Sequence, residues 1–257
     1  MRKLNPKKIL LFLILSLSIF TSYYALRNLT FNHQSNYKIR GVDISNQYGA
    51  GLDWNKLNGF SDFIILRAVR AVKEKKIKGK QSYISLIDKN FNKNWLDLEN
   101  KKIIKGAYHF FAPGISAENQ FNVFKEAVKL KKGDLPPILD VENQECDMNE
   151  VIKWLKMARE YYKVQPILYT DYIFMKAFLN YRDLDCKLWI YVNESVKLPN
   201  TKVKVPLFFK NAQPDFEIPK CIFWQIKQDT SLNGFNEKVD LNVFLGDSIS
   251  FKKILVQ

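Results

Sequence analysis

Asp140 and Glu142 stand two positions apart at the end of the apolar run Leu135-Pro136-Pro137-Ile138-Leu139-Asp140-Val141-Glu142. Side chains alternate along a strand, so both carboxylates project from one face of it. Ile138, Leu139 and Val141 suit a strand, and the two prolines open it, where a missing backbone donor does least harm. Two such carboxyl groups can cleave a glycosidic bond: one protonates the leaving oxygen while the other supports the cationic carbon. An isolated D-x-E is more often a solvated loop or a helix cap. The pair therefore needs other residues to converge on it.

Three further polar residues sit at the ends of strand-like runs. They are Asp43 in Gly41-Val42-Asp43-Ile44-Ser45, Gln225 in Phe223-Trp224-Gln225, and Asp240 in Val239-Asp240-Leu241-Asn242. If these ends meet, four carboxylates face one another. Like charge and partial desolvation then raise their pKa values, so that one of them stays protonated near neutral pH. Aromatic residues end the same runs: Tyr108, Phe110 and Phe111, then Tyr169, then Trp189 and Tyr191, then Trp224. Any one of these rings alone is more often core. Their repetition at strand ends marks faces on which sugars can stack.

The elements that must position these groups follow from periodicity. Strand-like runs recur at 39–45, 63–69, 103–111, 137–142, 166–170, 188–192, 205–209 and 222–226. Helical spacing appears over 117–131 (Phe121, Phe124, Val128, Leu130) and 148–162 (Val151, Trp154, Leu155, Ala158), and 251–257 reads as a final helix or tail. Strands alternating with helices predict parallel βα units, and about eight repeats in this length predict an α/β fold closed into an irregular (β/α) TIM-like barrel. Parallel strands place their carboxyl ends on one rim, which is where such barrels do chemistry. The stretch 73–80, five of whose eight residues are lysine, reads as a solvated insertion.

The chain opens with Arg2, Lys3, Lys7 and Lys8, followed by the charge-free residues 9–26. Basic residues before an apolar run are an export signal. No small-x-small site follows Phe20, which favours an uncleaved anchor through residues 9–26 over a cleaved peptide. The expected organisation is a signal peptide or anchor at 1–27, a polar linker at 28–38 and the barrel domain at 39–257. Of the net charge of +14, five basic residues lie in the first 30 positions, so the remainder carries 35 minus 26, or +9. A basic exported domain suits anionic polymers. No finger, helix-turn-helix or RNA-binding signature is present, which excludes a nucleic-acid partner.

Three cysteines in an exported chain leave at least one unpaired. Cys186 and Cys221 each precede a strand-like run, so the expectation is a bridge between them with Cys146 free. No His or Cys stands at metal-ligand spacing, so neither a metal nor a cofactor is expected. His33 and His109 have no context that pairs either with Cys146 as a catalytic couple.

Taken in order, Asp43-Ile44-Ser45, Leu52-Asp53-Trp54, Gly106-Ala107-Tyr108-His109-Phe110, Leu139-Asp140-Val141-Glu142, Leu168-Tyr169, Leu188-Trp189-Ile190, Trp224-Gln225 and Val239-Asp240-Leu241-Asn242 resemble the motifs of glycoside hydrolase family 25. Members of that family cut peptidoglycan between N-acetylmuramic acid and N-acetylglucosamine. The resemblance spans about 41–244. It implies catalytic roles for Glu142 as general acid, for Asp140 at the reacting centre, either directly or through the substrate's acetamido group, and for Asp43 and Asp240 as the acidic floor. It also implies that Tyr108, Phe110, Tyr169, Trp189, Tyr191, Trp224 and Gln225 shape a sugar site. The expected partner is a peptidoglycan glycan strand, the expected state a monomer. Two other functions fit the same residues: a barrel that binds wall glycan without turnover, and a hydrolase of another N-acetylhexosamine polymer such as chitin.

Overall fold

The structure, a computed structural model, describes residues 38–45, 52–57, 60–74, 82–101, 103–178, 184–191, 220–232 and 238–257. Its strands are β1 (Arg40–Ile44), β2 (Phe63–Lys73), β3 (Tyr83–Ile87), β4 (Ile104–Phe110), β5 (Ile138–Asp140), β6 (Ile167–Asp171), β7 (Lys187–Tyr191), β8 (Cys221–Ser231) and β9 (Lys238–Phe244). Its helices are α1 (Phe91–Asn100), α2 (Ala117–Ala127), α3 (Met148–Tyr162), α4 (Tyr172–Phe178) and α5 (Ser248–Ile254). The sheet runs β1-β9-β8-β7-β6-β5-β4-β2-β3, and β1 also pairs with β2. That pairing closes eight strands into a barrel and leaves β3 as a hairpin partner outside the ring. Within the ring, neighbours are parallel except at β9, which is antiparallel to both β8 and β1; the β2–β3 hairpin outside it is antiparallel as well. The barrel is irregular in this respect, as expected.

Strands and helices form where their apolar spacing dictates. Gln120, Phe121 and Phe124 bury one face of α2, which is capped by Ser116, whose side chain accepts from the Asn119 N–H. Val151, Trp154, Leu155 and Ala158 bury one face of α3, capped by Asp147. Helix α2 ends at Ala127, short of the expected 131, because Val128 already has extended backbone. The run at 205–209, the lysine-rich residues 75–80 and the amino-terminal segment lie outside the described residues. Among those described, no helix is long and apolar enough to cross a membrane.

The barrel interior is closed at the end opposite the carboxyl rim. Phe251 of α5 lies 5.7 Å from Phe63, 6.4 Å from Phe223 and 5.0 Å from Phe244, ring centre to ring centre. Gly41 makes this packing possible, since a Cβ there would fall 2.2 Å from the Phe63 ring. Above this plug come Ile65, Ile138 and Ile167, then Tyr108, Tyr169 and Trp189. The interior thus changes from apolar to polar on approaching the rim. Helices α2 and α3 cover the outer face, where Phe124 and Trp154 pack around the buried His109.

Candidate active site

A cleft of about 190 Å³ opens at the carboxyl rim, lined by Asp43, Ser45, Arg67, Tyr108, Phe110, Asp140, Glu142, Tyr169, Trp189, Gln225, Gln228 and Asp240. Parallel pairing sets the height of these residues. Asp140 lies in register with Phe110 on β4 and Tyr169 on β6, and Tyr169 with Trp189 on β7. Asp140 is the last residue of β5, so Glu142 stands just past the strand. Asp240 reaches the same rim by a different route. It lies in the first half of the antiparallel strand β9, directly opposite Asp43 of β1. A larger depression of about 930 Å³ lies outside the barrel against α3, but its lining includes none of these four carboxylates.

Hydrogen bonds tie the floor together. The Gln225 amide donates to Asp43 Oδ1 at 2.9 Å and to Asp240 Oδ2 at 3.5 Å, while its oxygen accepts from the Tyr169 hydroxyl at 2.8 Å and from Gln228 Nε2 at 3.0 Å. Asn242 Nδ2 donates to Asp43 Oδ1 at 2.7 Å, and Trp189 Nε1 donates to Asn242 Oδ1 at 2.9 Å. A bulge in β8 brings the Asp229 N–H to Asp240 Oδ1 at 2.8 Å, with Asp229 in the left-handed region at φ 51°. Asp140 Oδ1 differs from the rest: it is buried and accepts no hydrogen bond among the described residues.

All four carboxyls are held above their ordinary pKa. For Asp43 the cause is burial, then the charge of Asp240, against hydrogen bonds from Asn242 and Gln225. For Asp140 it is burial, then Glu142 and Asp43, opposed by Arg67. Burial moves Asp240 to about 6. Glu142 is raised by the protein atoms crowded round its carboxyl, then by Asp171 and Asp240. Its side chain as a whole is open to solvent at the mouth of the cleft. Water therefore screens its repulsions more than those of Asp43 or Asp140, which are each 6% exposed.

The structure thus brings Asp43, Asp140, Glu142, Asp240, Tyr108, Phe110, Tyr169, Trp189 and Gln225 to one cleft. Trp224 and Tyr191 are not among its lining residues. Trp224 alternates with Phe223 and Gln225 on β8, so it takes the opposite face of the strand and is buried there. Tyr191 packs against the barrel core. Gln225, expected to touch sugar, is 1% exposed and has both amide atoms engaged, so it organises the floor.

The expected Cys186–Cys221 bridge is absent, and all three cysteines are free thiols. Cys221 is paired in register with Leu188, two positions past Cys186, so the two cysteines share one end of the sheet without being bonded. Sequence reasoning missed Arg67, Gln228 and the supporting Asn242. Arg67 had a readable signal, a lone charge inside the apolar run Phe63-Ile64-Ile65-Leu66-Arg67-Ala68-Val69. Gln228 had none, because a bulge carries it in.

The model of glycosyl hydrolases family 25 matches residues 42–235, a span that contains most of β1 and all of β2 to β8 but ends before β9, and so before Asp240. The chain belongs to glycosyl hydrolases family 25. It is a glycosidase by that membership. The family 25 glycosyl hydrolase of Bacillus anthracis is similar over 85% of this chain and 94% of its own, with 26% identity and a TM-score of 0.64. A lysozyme of Streptomyces coelicolor shares the fold at 19% identity and a TM-score of 0.62, covering 84% of this chain and 96% of that one. An uncharacterized Escherichia coli protein, YegX, is 26% identical over 88% of this chain and 77% of its own length.

Proposed function

We propose that this family 25 glycosidase is an exported muramidase, cleaving the β-1,4 bond between N-acetylmuramic acid and N-acetylglucosamine in peptidoglycan. The observation that carries the reading is the convergence of Asp43, Asp140, Glu142 and Asp240 on one aromatic-walled cleft. Glu142 is the general acid: it stands past the strand, at the open mouth, where a glycosidic oxygen can approach it. Its raised pKa keeps a proton available. Asp140 supports the reacting centre from the floor. The unpartnered Oδ1 can accept from a substrate acetamido N–H or face the developing cation.

Asp43 and Asp240 fix the floor through Gln225, and their charges raise the acids around them. Tyr108, Phe110, Tyr169 and Trp189 offer ring faces and edges to the sugar. The fold shared with a Streptomyces coelicolor lysozyme and an Acremonium alcalophilum muramidase is consistent with this substrate. So is a basic domain carried out of the cytoplasm by residues 9–26, which either are removed or tether the enzyme to the membrane. It acts as a monomer without a cofactor.

The test is digestion of purified peptidoglycan by the full chain, comparing wild type with Glu142→Gln. Wild type should release reducing ends on muramic acid, and the Gln variant should lose ~10²–10⁴-fold in rate. Equal rates, or fragments ending in N-acetylglucosamine, would refute the reading. Cleavage of chitooligosaccharides alone would transfer the chemistry to another polymer.

A further inference from the structure

Charge is distributed unevenly along the barrel axis. The carboxyl rim gathers Asp43, Asp140, Glu142 and Asp240 around the cleft. The opposite pole, where the parallel strands begin, carries exposed lysines. Lys38 precedes β1, Lys132 lies in the turn that leads to β5, and Lys252 and Lys253 stand in the last turn of α5. Backbone hydrogen bonds hold their segments side by side. The Phe244 N–H, at the end of β9, donates to the Ile39 carbonyl at 3.0 Å, and Gly133 and Val256 are joined by an N–H to carbonyl bond of 2.9 Å. The Val256 N–H in turn donates to the Asp134 carbonyl at 2.9 Å.

The acids of this pole are engaged with other groups. Asp134 pairs with the buried Lys105 at 2.7 Å, and Glu99 pairs with Lys131. Asp62 accepts from the Arg40 N–H at 2.8 Å, and Asp247 caps α5 by accepting from the Ser250 N–H at 2.7 Å. Among the described residues, none of Lys38, Lys132, Lys252 and Lys253 is in an ion pair. Beside them Ile249 is 67% exposed, more than any other large apolar side chain described. With Lys252, Lys253 and Gln257 it lines a shallow depression of about 430 Å³. An apolar side chain among lysines suits a lipid headgroup layer, where the amines meet phosphates and the apolar group enters the boundary beneath them.

Chain connectivity brings a membrane to the same pole. The charge-free residues 9–26 are joined to Lys38 by residues 27–37, and eleven residues reach at most about 40 Å when fully extended. We infer that the lysine pole around Ile249 is a docking surface for anionic phospholipid headgroups, which seats the barrel on the membrane with its cleft turned away from the bilayer. The inference rests on the reading of residues 9–26 as a retained anchor, and it is independent of which glycan bond is cut. The acidic rim is repelled by the same surface, so both ends of the barrel favour one orientation.

Lysine protection tests this directly. The full chain is reconstituted into vesicles of phosphatidylcholine, alone or mixed with phosphatidylglycerol, and treated with a membrane-impermeant amine-acylating reagent, with modification read at each lysine by mass spectrometry. On the mixed vesicles Lys132, Lys252 and Lys253 should acylate about fivefold more slowly relative to the exposed Lys156 and Lys227, which lie away from this pole. High salt should abolish the difference. The double variant Lys252→Glu with Lys253→Glu changes only exposed side chains. It should return Lys132 to its rate on neutral vesicles and leave hydrolysis of soluble peptidoglycan fragments unchanged.

Equal acylation on the two kinds of vesicle would overturn the inference and make the pole an ordinary solvated face. So would protection by a soluble anionic wall polymer but not by vesicles, or protection of Lys227 in place of Lys252. Extraction of the chain from the vesicles by alkaline carbonate would refute the anchor, and the inference with it. A chain that stays in the bilayer with Lys252 unprotected refutes the docking surface alone. Protected lysines in a chain that leaves peptidoglycan intact would instead sink the muramidase reading and leave the docking surface standing.

Discussion

His109 allows the coupling between pH and stability to be worked through in numbers. It is fully buried between the cleft residues Tyr108 and Phe110 in sequence, but points outward to the helices, against Phe111, Phe124 and Trp154. Nε2 lies 3.1 Å from Gln120 Oε1, which fixes it as the donor, and Nδ1 has no hydrogen-bond partner among the described residues. Burial pushes the imidazole from 6.5 to about 3. At roughly 1.36 kcal/mol per pKa unit, the neutral ring therefore carries about 5 kcal/mol of stability at neutral pH.

The sign follows from which state takes the proton. The unfolded chain binds it near 6.5 and the folded chain only near 3, so this contribution is present above 6.5 and is lost as pH falls between those values. The cleft carboxyls oppose it. Their folded pKa values are raised, so the folded state takes protons first and gains stability as pH falls toward the unfolded carboxylate value. The absolute acid profile of the enzyme is a mixture of the two.

His109→Phe separates them. The ring stays aromatic among aromatic neighbours, and Gln120 Oε1 keeps the Ala112 N–H as a donor at 2.7 Å. Urea unfolding followed by tryptophan fluorescence at several pH values between 7 and 4.5 yields the stability of each protein. Wild type should lose about 2 kcal/mol relative to the variant between pH 7 and pH 5, because the carboxyl contributions cancel in the difference. Parallel profiles, within about 0.5 kcal/mol, would show that His109 is not held neutral by its surroundings.

Two further outcomes concern the cleft floor. Gln225→Ala should leave Tyr169 without its acceptor and Asp43 with one donor fewer, lowering stability by about 1–3 kcal/mol and kcat/KM by at least tenfold. Unchanged thermal unfolding together with unchanged turnover would contradict the hub assigned to it. Asp229→Gly should preserve activity, since glycine keeps the N–H that holds Asp240 and adopts a φ of 51° without strain. Asp229→Pro, which lacks that N–H and cannot adopt the angle, should lose it. Equal turnover in the Gly and Pro variants would show that the bulge does not position Asp240.

Much of the site was readable because the barrel rule converts chain order into position. Asp43, Tyr108, Asp140 and Tyr169 each end an apolar run, and parallel strands bring run ends to one rim. The rule fails at Trp224, where aromatic character was legible but the face was not. A shift of one residue along a strand reverses inside and outside, and β7 and β8 pair with a register shift just below it. It places Gln225 at the cleft correctly but not its burial, which depends on neighbours contributed by β1, β6 and β9. Strand β3 and helices α1 and α4 are not singled out by sequence, although α1 buries Phe91, Trp95 and Leu98 at helical spacing; all three are short, at five, ten and seven residues. Their formation depends on what they pack against.

From sequence alone follow the βα alternation, the carboxylate pair, the basic residues ahead of an apolar amino-terminal run and the family motifs, because all of these depend on residue type and local spacing. Tertiary structure decided which polar groups are partnered. Asp140 Oδ1 is left open, Gln225 is saturated, and Arg67 is pinned by an aspartate 21 positions away. It decided as well that Asp240 arrives on an antiparallel strand and that the three thiols stay apart. Hydrogen bonding and desolvation depend on groups distant in the chain, and closure of the barrel is what brings those groups together.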